Sequence, residues 1–366
     1  MSAFDDRELM QRALSLAERG LFTTTPNPRV GCVIARDGRV IGEGWHERTG
    51  EAHAEVRALA DAAASGESTR GATVYVTLEP CNHHGRTPPC TDALLAAGVA
   101  RVVAAMRDPN TPAGSGAAKL EAAGIAVQTG LLENEARELN IGWIKRLTDR
   151  VPWVRVKIAA SLDGRTALAS GESQWITGEA ARADGHRWRA RACAILTGIG
   201  TVMQDDPRLT VRTVETPRQP LKIVIDRHGE LSADARVLEN GRVLVFSAEA
   251  PRVAWPSHVE NIVLRGADGR VDLERMLALL AEREINELHV EGGAKLNGAL
   301  LGAGLVDELL LYIAPSLLGD PARGMFERPM PLARLAERVP LDIRSIERVG
   351  EDWRVLARIH GRSGDV

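Results

Sequence analysis

The sequence predicts an α/β protein of two domains, and three observations carry that expectation. The chain has 366 residues, more than one ordinary hydrophobic core organises. Strand-like apolar runs alternate with amphipathic helix-like runs through both halves, the pattern of sheets flanked by helices. The stretch "TDRVPW" at 148–153 interrupts that alternation near the middle and divides the chain into domains 1–147 and 148–366. Aromatic residues make up only 4% of the chain, so its cores are expected to be aliphatic.

In the first half, residues 6–19 place Leu9, Ala13, Leu16 and Ala17 on one side of a helix that Gly20 stops. "VGCVIARDGRVIGEGW" is a pair of strands around Asp37-Gly38, a strong hairpin signal. A helix over 53–64 follows, then the strand "ATVYVTLEP", ended by its proline. A short helix over 90–97 closes at Gly98 and leads to the strand "ARVVAAM". "AAKLEAAG" and "IAVQTG" repeat helix, glycine, strand, and a single helix is expected over 133–147. In the second half, strands are expected at 154–159, 193–197, 221–226, 243–247, 287–291, 307–314 and in "WRVLARIH". Helices are expected at 179–191, 271–284 and 294–303.

The bulk numbers exclude several classes. Hydrophobic residues at 44% and charged residues at 26% are those of a globular protein. A formal net charge of −3 gives no reason to expect a nucleic-acid or membrane-surface partner. No apolar run approaches a membrane span, and "MSAFDDRELM" lacks the basic and apolar regions of a secretory signal, so a cytoplasmic protein is expected. Four cysteines are too few for a disulfide framework in a chain this long. Cys32 and Cys193, in apolar runs, read as small buried hydrophobes.

Cys81 and Cys90 differ, because they lie in polar, proline-punctuated loop, each beside the end of a strand or the start of a helix. A catalytic zinc needs three protein ligands, typically imidazole nitrogen and thiolate sulfur, and one open position. His53, at the start of the helix "HAEVRALA", completes such a set, and helix N-termini favour thiolate over thiol. Taken alone, His53-Ala-Glu55 reads equally as the solvated first turn of a helix, and the eight residues between the cysteines exceed a Cys-x-x-Cys spacing. Together, "HAE … EPC … C" is the zinc nucleobase-deaminase pattern, in which the glutamate is not a ligand but moves the proton.

With "TPNPRVGCVI", "GEGWHERTGEAHAEV", "VTLEPCNHHGRTPPC" and "MRDPN" in order, the chain closely resembles the bacterial bifunctional riboflavin-biosynthesis deaminase/reductases. The resemblance covers nearly the whole chain. It implies a cytidine-deaminase-like α/β/α sandwich followed by a dihydrofolate-reductase-like α/β domain. It implies one zinc per chain on His53, Cys81 and Cys90, with Glu55 as the catalytic proton shuttle. Asn27, His46, His83, Arg86, Asp108 and Asn110 match substrate-binding positions, with Arg86 suited to clamping a phosphate. A solvated loop for His83 and Arg86, and a turn residue for His46, are the alternative readings. Two departures stand out. Asn82 replaces a usual serine, and the loop after Asn110 is one residue shorter than is common.

The second half has no Gly-x-Gly-x-x-Gly between a strand and a helix, so a Rossmann reading is weak. "ELHVEGGAKLNGALL" instead reads as strand, two glycines and helix, whose N–H groups suit a phosphate, or as a plain turn. Together with "VKIAASLDGRTALASGESQWIT" and "ILTGIGTVMQDDPRLTVR" it resembles the reductase half of the same family. The resemblance places NADPH against Ala159, Trp175, Thr201, Asp205 and the run Gly293, Ala294, Lys295, Leu296, Asn297, Gly298 and Ala299. It places substrate against Ser173, Arg189, Leu209, Arg212 and Glu291. Lys157 and Asp163 belong to the most distinctive motifs and are read with the substrate site; Lys157 suits either a phosphate partner or a proton donor. Arg227 suits the NADP 2′-phosphate or is a surface arginine.

The implied substrate is a phosphoribosylaminopyrimidine that is deaminated and then reduced at its ribose, and the implied assembly is a homodimer. Arg86 and Arg212 are candidate clamps for the shared sugar phosphate. The alternative is a deaminase of another nucleobase with an inactive or regulatory reductase-like domain. A closed structural zinc with His83 or His84 as fourth ligand is a third reading.

Overall fold

The hairpin turn at Asp37-Gly38 forms as its sequence demands: both residues have positive φ, 51° and 70°, and they join two antiparallel strands. In this computed structural model, which describes residues 4–83, 88–110, 115–328 and 330–361, the chain divides into two units, Met1–Asp149 and Arg150–Val366.

The first unit contains β1 (Gly31–Arg36), β2 (Arg39–Trp45), β3 (Thr73–Val76), β4 (Arg101–Ala104) and β5 (Ala126–Thr129), ordered β2-β1-β3-β4-β5. β1 runs antiparallel to β2 and β3, and β3, β4 and β5 are parallel. Its helices are α1 (Asp6–Glu18), α2 (Ala54–Ala64), α3 (Cys90–Ala97), α4 (Gly116–Ala122), α5 (Glu133–Leu139) and α6 (Ile141–Thr148). α1 and α2 cover opposite faces of the β1–β2 pair, and glycines set how closely they approach. A Cβ on Gly31 would lie 2.0 Å from the Ala13 carbonyl oxygen in α1, and one on Gly44 would lie 2.5 Å from the Ala58 nitrogen in α2. Gly31 is cross-strand partner to Trp45, so it shares a face with it, whereas Gly44 projects to the other face. Helices on both faces make the expected α/β/α sandwich.

The expected helix over 133–147 is two helices. Asn140, at φ −111°, breaks it between α5 and α6. Its buried amide is engaged elsewhere: Oδ1 accepts from the Arg29 N–H at 2.8 Å and Nδ2 donates to the Arg29 carbonyl at 2.9 Å. That pairing satisfies a loop strand of backbone at the expense of helix continuity.

The second unit contains β6 (Trp153–Ser161), β7 (Arg165–Ala167), α7 (Glu179–Arg191), β8 (Ala194–Gly198), α8 (Ile199–Asp205), β9 (Leu221–Ile225) and β10 (Val243–Ser247). It continues with β11 (Val259–Val263), α9 (Leu273–Glu282), β12 (Glu287–Val290), α10 (Ala294–Gly302), β13 (Glu308–Ala314), β14 (Arg323–Gly324), β15 (Leu341–Val349) and β16 (Asp352–Ile359). Nine strands form one sheet in the order β11-β10-β9-β8-β12-β6-β13-β16-β15. The seven strands from β11 to β13 are parallel, and β16 and β15 add antiparallel. β7, α8, β11, β14 and β15 go beyond the sequence expectation. In β15 a register shift between Ile343 and Ser345 breaks the two-residue apolar period that would have marked it.

Under α7 the central strands carry buried charge beside a small apolar cluster of Ala181, Leu310 and Tyr312. Arg155 on β6 is fully buried, with Nη1 3.0 Å from Glu287 on β12 and Nε 2.5 Å from Glu308 on β13. Trp188 of α7 stacks over its guanidinium at 4.5 Å. Among the described residues, no helix is long and apolar enough to cross a membrane.

Candidate active sites

Three sequence-distant side chains meet at the ends of elements in the first unit. His53 is the N-cap of α2 but makes no side-chain capping bond, which leaves its imidazole free to face the sulfurs. Its Nδ1 lies 3.6 Å from Cys81 Sγ and 3.3 Å from Cys90 Sγ. Cys90 is the first residue of α3, and its N–H points at Cys81 Sγ from 3.4 Å. All three ligand atoms lie within 4.8 Å of one another. A tetrahedral zinc with ordinary Zn–N and Zn–S bonds spaces a nitrogen and a sulfur by about 3.5 Å, so this donor set fits that ion in chemistry and in reach.

The two cysteine sulfurs bear on each other in opposite directions. A hydrogen bond from the Cys90 thiol, aided by His53 and the Cys90 N–H, draws the Cys81 thiol down to about 4. The same bond, with burial, drives Cys90 far up. The Cys81 sulfur in turn holds the His53 imidazole above its usual value.

Glu55, in the first turn of α2, is buried at 4% exposure. Burial foremost, with the nearby Cys81 charge, pushes its carboxyl up to about 7, against the pull of His53 and a bond from Cys90. Beside it, the His46 ring stands edge-on to His53 with centroids 5.4 Å apart. Asn27 Nδ2 donates to His46 Nε2 at 3.0 Å, which leaves His46 Nδ1 to donate to the Ala52 carbonyl at 3.2 Å. Burial lowers the pKa of this imidazole. His46 therefore adjoins the metal-ligand cluster with Asn27 bonded behind it, and His46 ties the loop before α2 as well.

Asp108 lies on the same side: burial first, then the charges of Glu79 and Cys81, raise it to about 6. Its Oδ1 accepts from the Asn110 N–H at 2.8 Å. Sequence reasoning did not single out Glu79. This buried carboxylate accepts from the Asp108 N–H at 3.2 Å and the Ala117 N–H at 2.9 Å, bracketing the loop that follows β4. The available signal was a charge ending the apolar run "TVYVTLEP", directly before Pro80-Cys81. Asn82 Oδ1 accepts from the Thr91 hydroxyl at 3.3 Å. His83 is exposed. Arg86 and His84, and residues 111–114 of the shortened loop, lie outside the described residues.

In the second unit the carboxyl ends of the parallel strands gather the other candidates, where open α/β sheets bind ligands. Glu291 follows β12 and takes Arg189 of α7 through two bonds, 2.5 and 2.8 Å. Burial alone would raise the Glu291 carboxyl, but Arg189, His289 and Lys157 hold it well below its usual value. Arg189 Nη1 also donates to the Thr210 carbonyl at 3.1 Å, and Arg212 Nη1 donates to the Thr210 hydroxyl at 3.1 Å. Leu209, buried with φ 50°, turns the chain beside them. Lys157 Nζ lies 5.7 Å from the Tyr312 ring, its pKa lowered by burial and by Arg189. Lys157, Arg189, Leu209, Arg212 and Glu291 thus belong to one neighbourhood. His186, one helical turn before Arg189, joins it unforeseen: burial first, then Arg189, Arg212 and Lys157, lower its imidazole to about 4.

The glycine turns after β8 and β12 adjoin. Gly198 and Gly293 are the N-caps of α8 and α10, and Thr201 Oγ1 lies 3.8 Å from where a Gly293 Cβ would stand. Leu296 packs over the Cβ positions of Gly198 and Gly292. Asp205 ends α8, and Ala159 is half-buried on β6. The second turn of α10 packs against the 325–327 stretch. Asn297 Nδ2 donates to the Met325 carbonyl at 3.2 Å, and a Cβ on Gly298 would lie 2.0 Å from the Glu327 carbonyl oxygen. A helix turns 100° per residue, so Leu296 packs over the glycine turns while Asn297 and Gly298 stand against Met325 and Glu327.

Asp163 lies between β6 and β7. Its carboxylate accepts from the Ser161 hydroxyl at 2.5 Å and from the Leu318 and Gly319 N–H groups at 3.2 and 2.7 Å, so it pins that loop. Ser173 is half-buried, and Trp175 is exposed at 69%, with the Arg182 guanidinium stacked 4.7 Å above its ring. Lys295 and Arg227 are exposed, and Ala294 and Ala299 are half-buried.

Comparison with known proteins agrees with both halves. Residues 4–106 match the family model of the cytidine and deoxycytidylate deaminase zinc-binding region, and residues 152–355 match that of the RibD C-terminal domain. The riboflavin biosynthesis protein RibD of Escherichia coli is 49% identical over 361 residues, covering 95% of this chain and 97% of that protein. Acinetobacter baumannii RibD superposes with a TM-score of 0.88 at 42% identity, covering 97% of this chain and 98% of that one. A Thermotoga maritima structure, a diaminohydroxyphosphoribosylaminopyrimidine deaminase/5-amino-6-(5-phosphoribosylamino)uracil reductase, superposes with a TM-score of 0.89 at 37% identity, covering 96% and 98% of the two chains. With a zinc-binding deaminase region at its front and a RibD reductase domain behind it, each matched over most of its length, this chain belongs to the RibD family of bifunctional riboflavin-biosynthesis enzymes.

Proposed function

We propose that the first unit hydrolytically deaminates diaminohydroxyphosphoribosylaminopyrimidine at a single zinc, and that the second unit reduces the ribosyl group of the resulting 5-amino-6-(5-phosphoribosylamino)uracil with NADPH, as in the named activities of the Thermotoga relative. The observation that carries this reading is the meeting of His53 Nδ1 with both cysteine sulfurs, at 3.6 and 3.3 Å, beside a buried Glu55.

His53, Cys81 and Cys90 hold the metal. Zinc bound there supplies Lewis acidity, bringing water into reach as a nucleophile at neutral pH. Glu55 removes a proton from the attacking water and delivers one to the departing amine. A carboxyl poised at about 7 suits a group that must act first as base and then as acid. Asn27, His46, Asp108 and Asn110 orient the pyrimidine, with His83 and Arg86 toward its sugar phosphate.

In the second unit NADPH supplies the hydride. The glycine turns at Gly198 and Gly293, with Ala159, Thr201, Asp205 and Trp175, hold the cofactor. Lys157, Ser173, Arg189, Leu209, Arg212 and Glu291 position the ribosyl carbon and its phosphate. Free thiols at the metal site require a reducing compartment, in keeping with a cytoplasmic enzyme. A homodimer belongs to the same reading.

The test is one incubation with the diaminopyrimidine substrate, with and without NADPH, following ammonia and NADPH together. Ammonia should appear in both, and NADPH should be oxidised only after it. Absence of ammonia from the zinc-loaded chain would overturn the deaminase assignment. Ammonia without NADPH consumption would overturn the reductase assignment.

A further inference from the structure

A short segment of the second unit carries two of the proposed site residues, Ser173 and Trp175, and it is held at several points. At its base, β7 pairs antiparallel with β14, Arg165 Nη1 donates to the Ala322 carbonyl at 3.2 Å, and the Thr166 hydroxyl donates to the Gly324 carbonyl at 3.2 Å. Beyond β7 the chain folds into a tight turn. The Gly171 N–H donates to the Leu168 carbonyl at 3.0 Å, and the Leu168 N–H donates to the Glu172 carbonyl at 2.9 Å. At the far end the Gly178 N–H donates to Asp352 Oδ2 at 2.8 Å. The tip of the turn meets α8. Gln204 Nε2 donates to the Gly171 carbonyl, and Gln204 Oε1 accepts from Arg323 Nη1 at 2.9 Å, so both ends of one amide are used. The approach is close enough to need glycine. Gly171 has φ +99°, and a Cβ there would lie 2.6 Å from Gln204 Nε2 and 3.1 Å from Arg323 Nη2.

Gln204 sits on the helix that carries two other proposed cofactor residues: Thr201 stands one turn before it and Asp205 directly follows it. Its amide therefore joins the α8 side of the crevice to the segment that brings Ser173 toward substrate and Trp175 toward nucleotide. Gln204 is exposed, and a hydrogen bond in such a place is worth little by itself, so its use lies in what it connects. A nucleotide resting on Thr201 and Asp205 fixes α8. With the Gln204 amide in place, fixing α8 also fixes the turn at Gly171, and the entropy of ordering the segment is lost once for two ligands. We propose that Gln204, braced by Arg323, is a positioning residue that couples the cofactor helix to the Ser173–Trp175 segment, so that nucleotide and aminouracil each tighten the binding of the other. The proposal rests on the reading of the second unit as an NADPH-dependent reductase.

The experiment is calorimetric titration of the full chain with 5-amino-6-(5-phosphoribosylamino)uracil, alone and with excess NADP+, which has no hydride to give. In the wild-type chain NADP+ should lower the aminouracil Kd about fivefold, the worth of roughly one hydrogen bond, and the aminouracil should lower the NADP+ Kd by the same factor. Gln204→Leu keeps bulk and loses both bonds. It should bring that factor below about 1.5-fold, with ammonia release by the first unit unchanged. Arg323→Met should lower the factor in part, and the double variant should match Gln204→Leu, since both act through one amide. A wild-type chain that binds both ligands without coupling overturns the proposal and leaves the reductase reading standing. So does a Gln204→Leu chain that binds each ligand more weakly yet keeps the wild-type factor, the mark of a merely structural role. Should Gln204→Leu not melt cooperatively, Arg323→Met decides in its place, and an unchanged factor there overturns the proposal. A wild-type chain that binds neither ligand overturns the reductase reading and the coupling with it.

Discussion

Cys90 Sγ lies 3.3 Å from His53 Nδ1, although 37 residues separate them, and the Cys90 N–H faces Cys81 Sγ from 3.4 Å. One helix start therefore joins the whole ligand set. Replacing Cys90 with Ser should cut bound zinc, measured by elemental analysis, from one per chain to well under half. Ammonia release should fall with it, while reduction of supplied deaminated intermediate persists, since that site is built from other residues.

Glu55 is assigned to proton transfer and not to the metal. Glu55→Gln should keep zinc at one per chain and lower the rate of ammonia release by about 10²–10⁴-fold, the usual contribution of a positioned general acid–base. Zinc loss in this variant would show that the carboxylate is a ligand instead.

The same residue gives a pH signature in the metal-free chain. Its folded value of about 7 exceeds the ordinary 4.5, chiefly because burial disfavours the charge. Between those values the folded chain binds the proton more tightly than the unfolded chain. Stability contributed by Glu55 is thus full below about 4.5 and falls as pH rises to about 7. Asp108, raised to about 6 by burial, acts in the same direction. Melting temperatures of chelator-treated protein should decline across this window, and Glu55→Gln should flatten the decline. An identical slope in both proteins would refute the assignment.

Arg189 and Glu291 meet through two bonds, 2.5 and 2.8 Å, beside Lys157. Arg189→Lys keeps the charge but cannot make the fork. It should raise the reductase KM for the aminouracil about tenfold or more and leave ammonia release unchanged, as measured by separate assays of the two steps.

Arg155 tests stability alone. Arg155→Ala removes the cation shared by the buried Glu287 and Glu308, leaving Arg191 beside the one and Arg358 with Trp153 beside the other. A loss of about 3–5 kcal/mol is expected for breaking a buried pair in this way, read by denaturant unfolding of the second unit.

Much of this was legible beforehand because it is local chemistry. The Asp37-Gly38 turn, Gly98 at the close of α3 and the bounds of α7 follow from residue types at fixed spacings. The helix expected over 133–147 failed at Asn140 because the partner of that amide, Arg29, is 111 residues away. Glu79 went unnoticed for a similar reason: its two N–H partners come from a loop that sequence order does not bring near.

The residues by themselves pointed to two α/β units, to His53, Cys81 and Cys90 as candidate metal ligands and to Glu55 as the acid outside that set, since those readings rest on residue types taken in order along the chain. Only the tertiary structure decided which side chains face one another. It set Asn297 and Gly298 against Met325 and Glu327, engaged Asp163 with a loop, drew His186 in beside Arg189, and set Arg265 next to Arg227 across a strand. Those outcomes depend on sheet order and helix phase, which arise from burial summed over the whole unit and are written in no single motif.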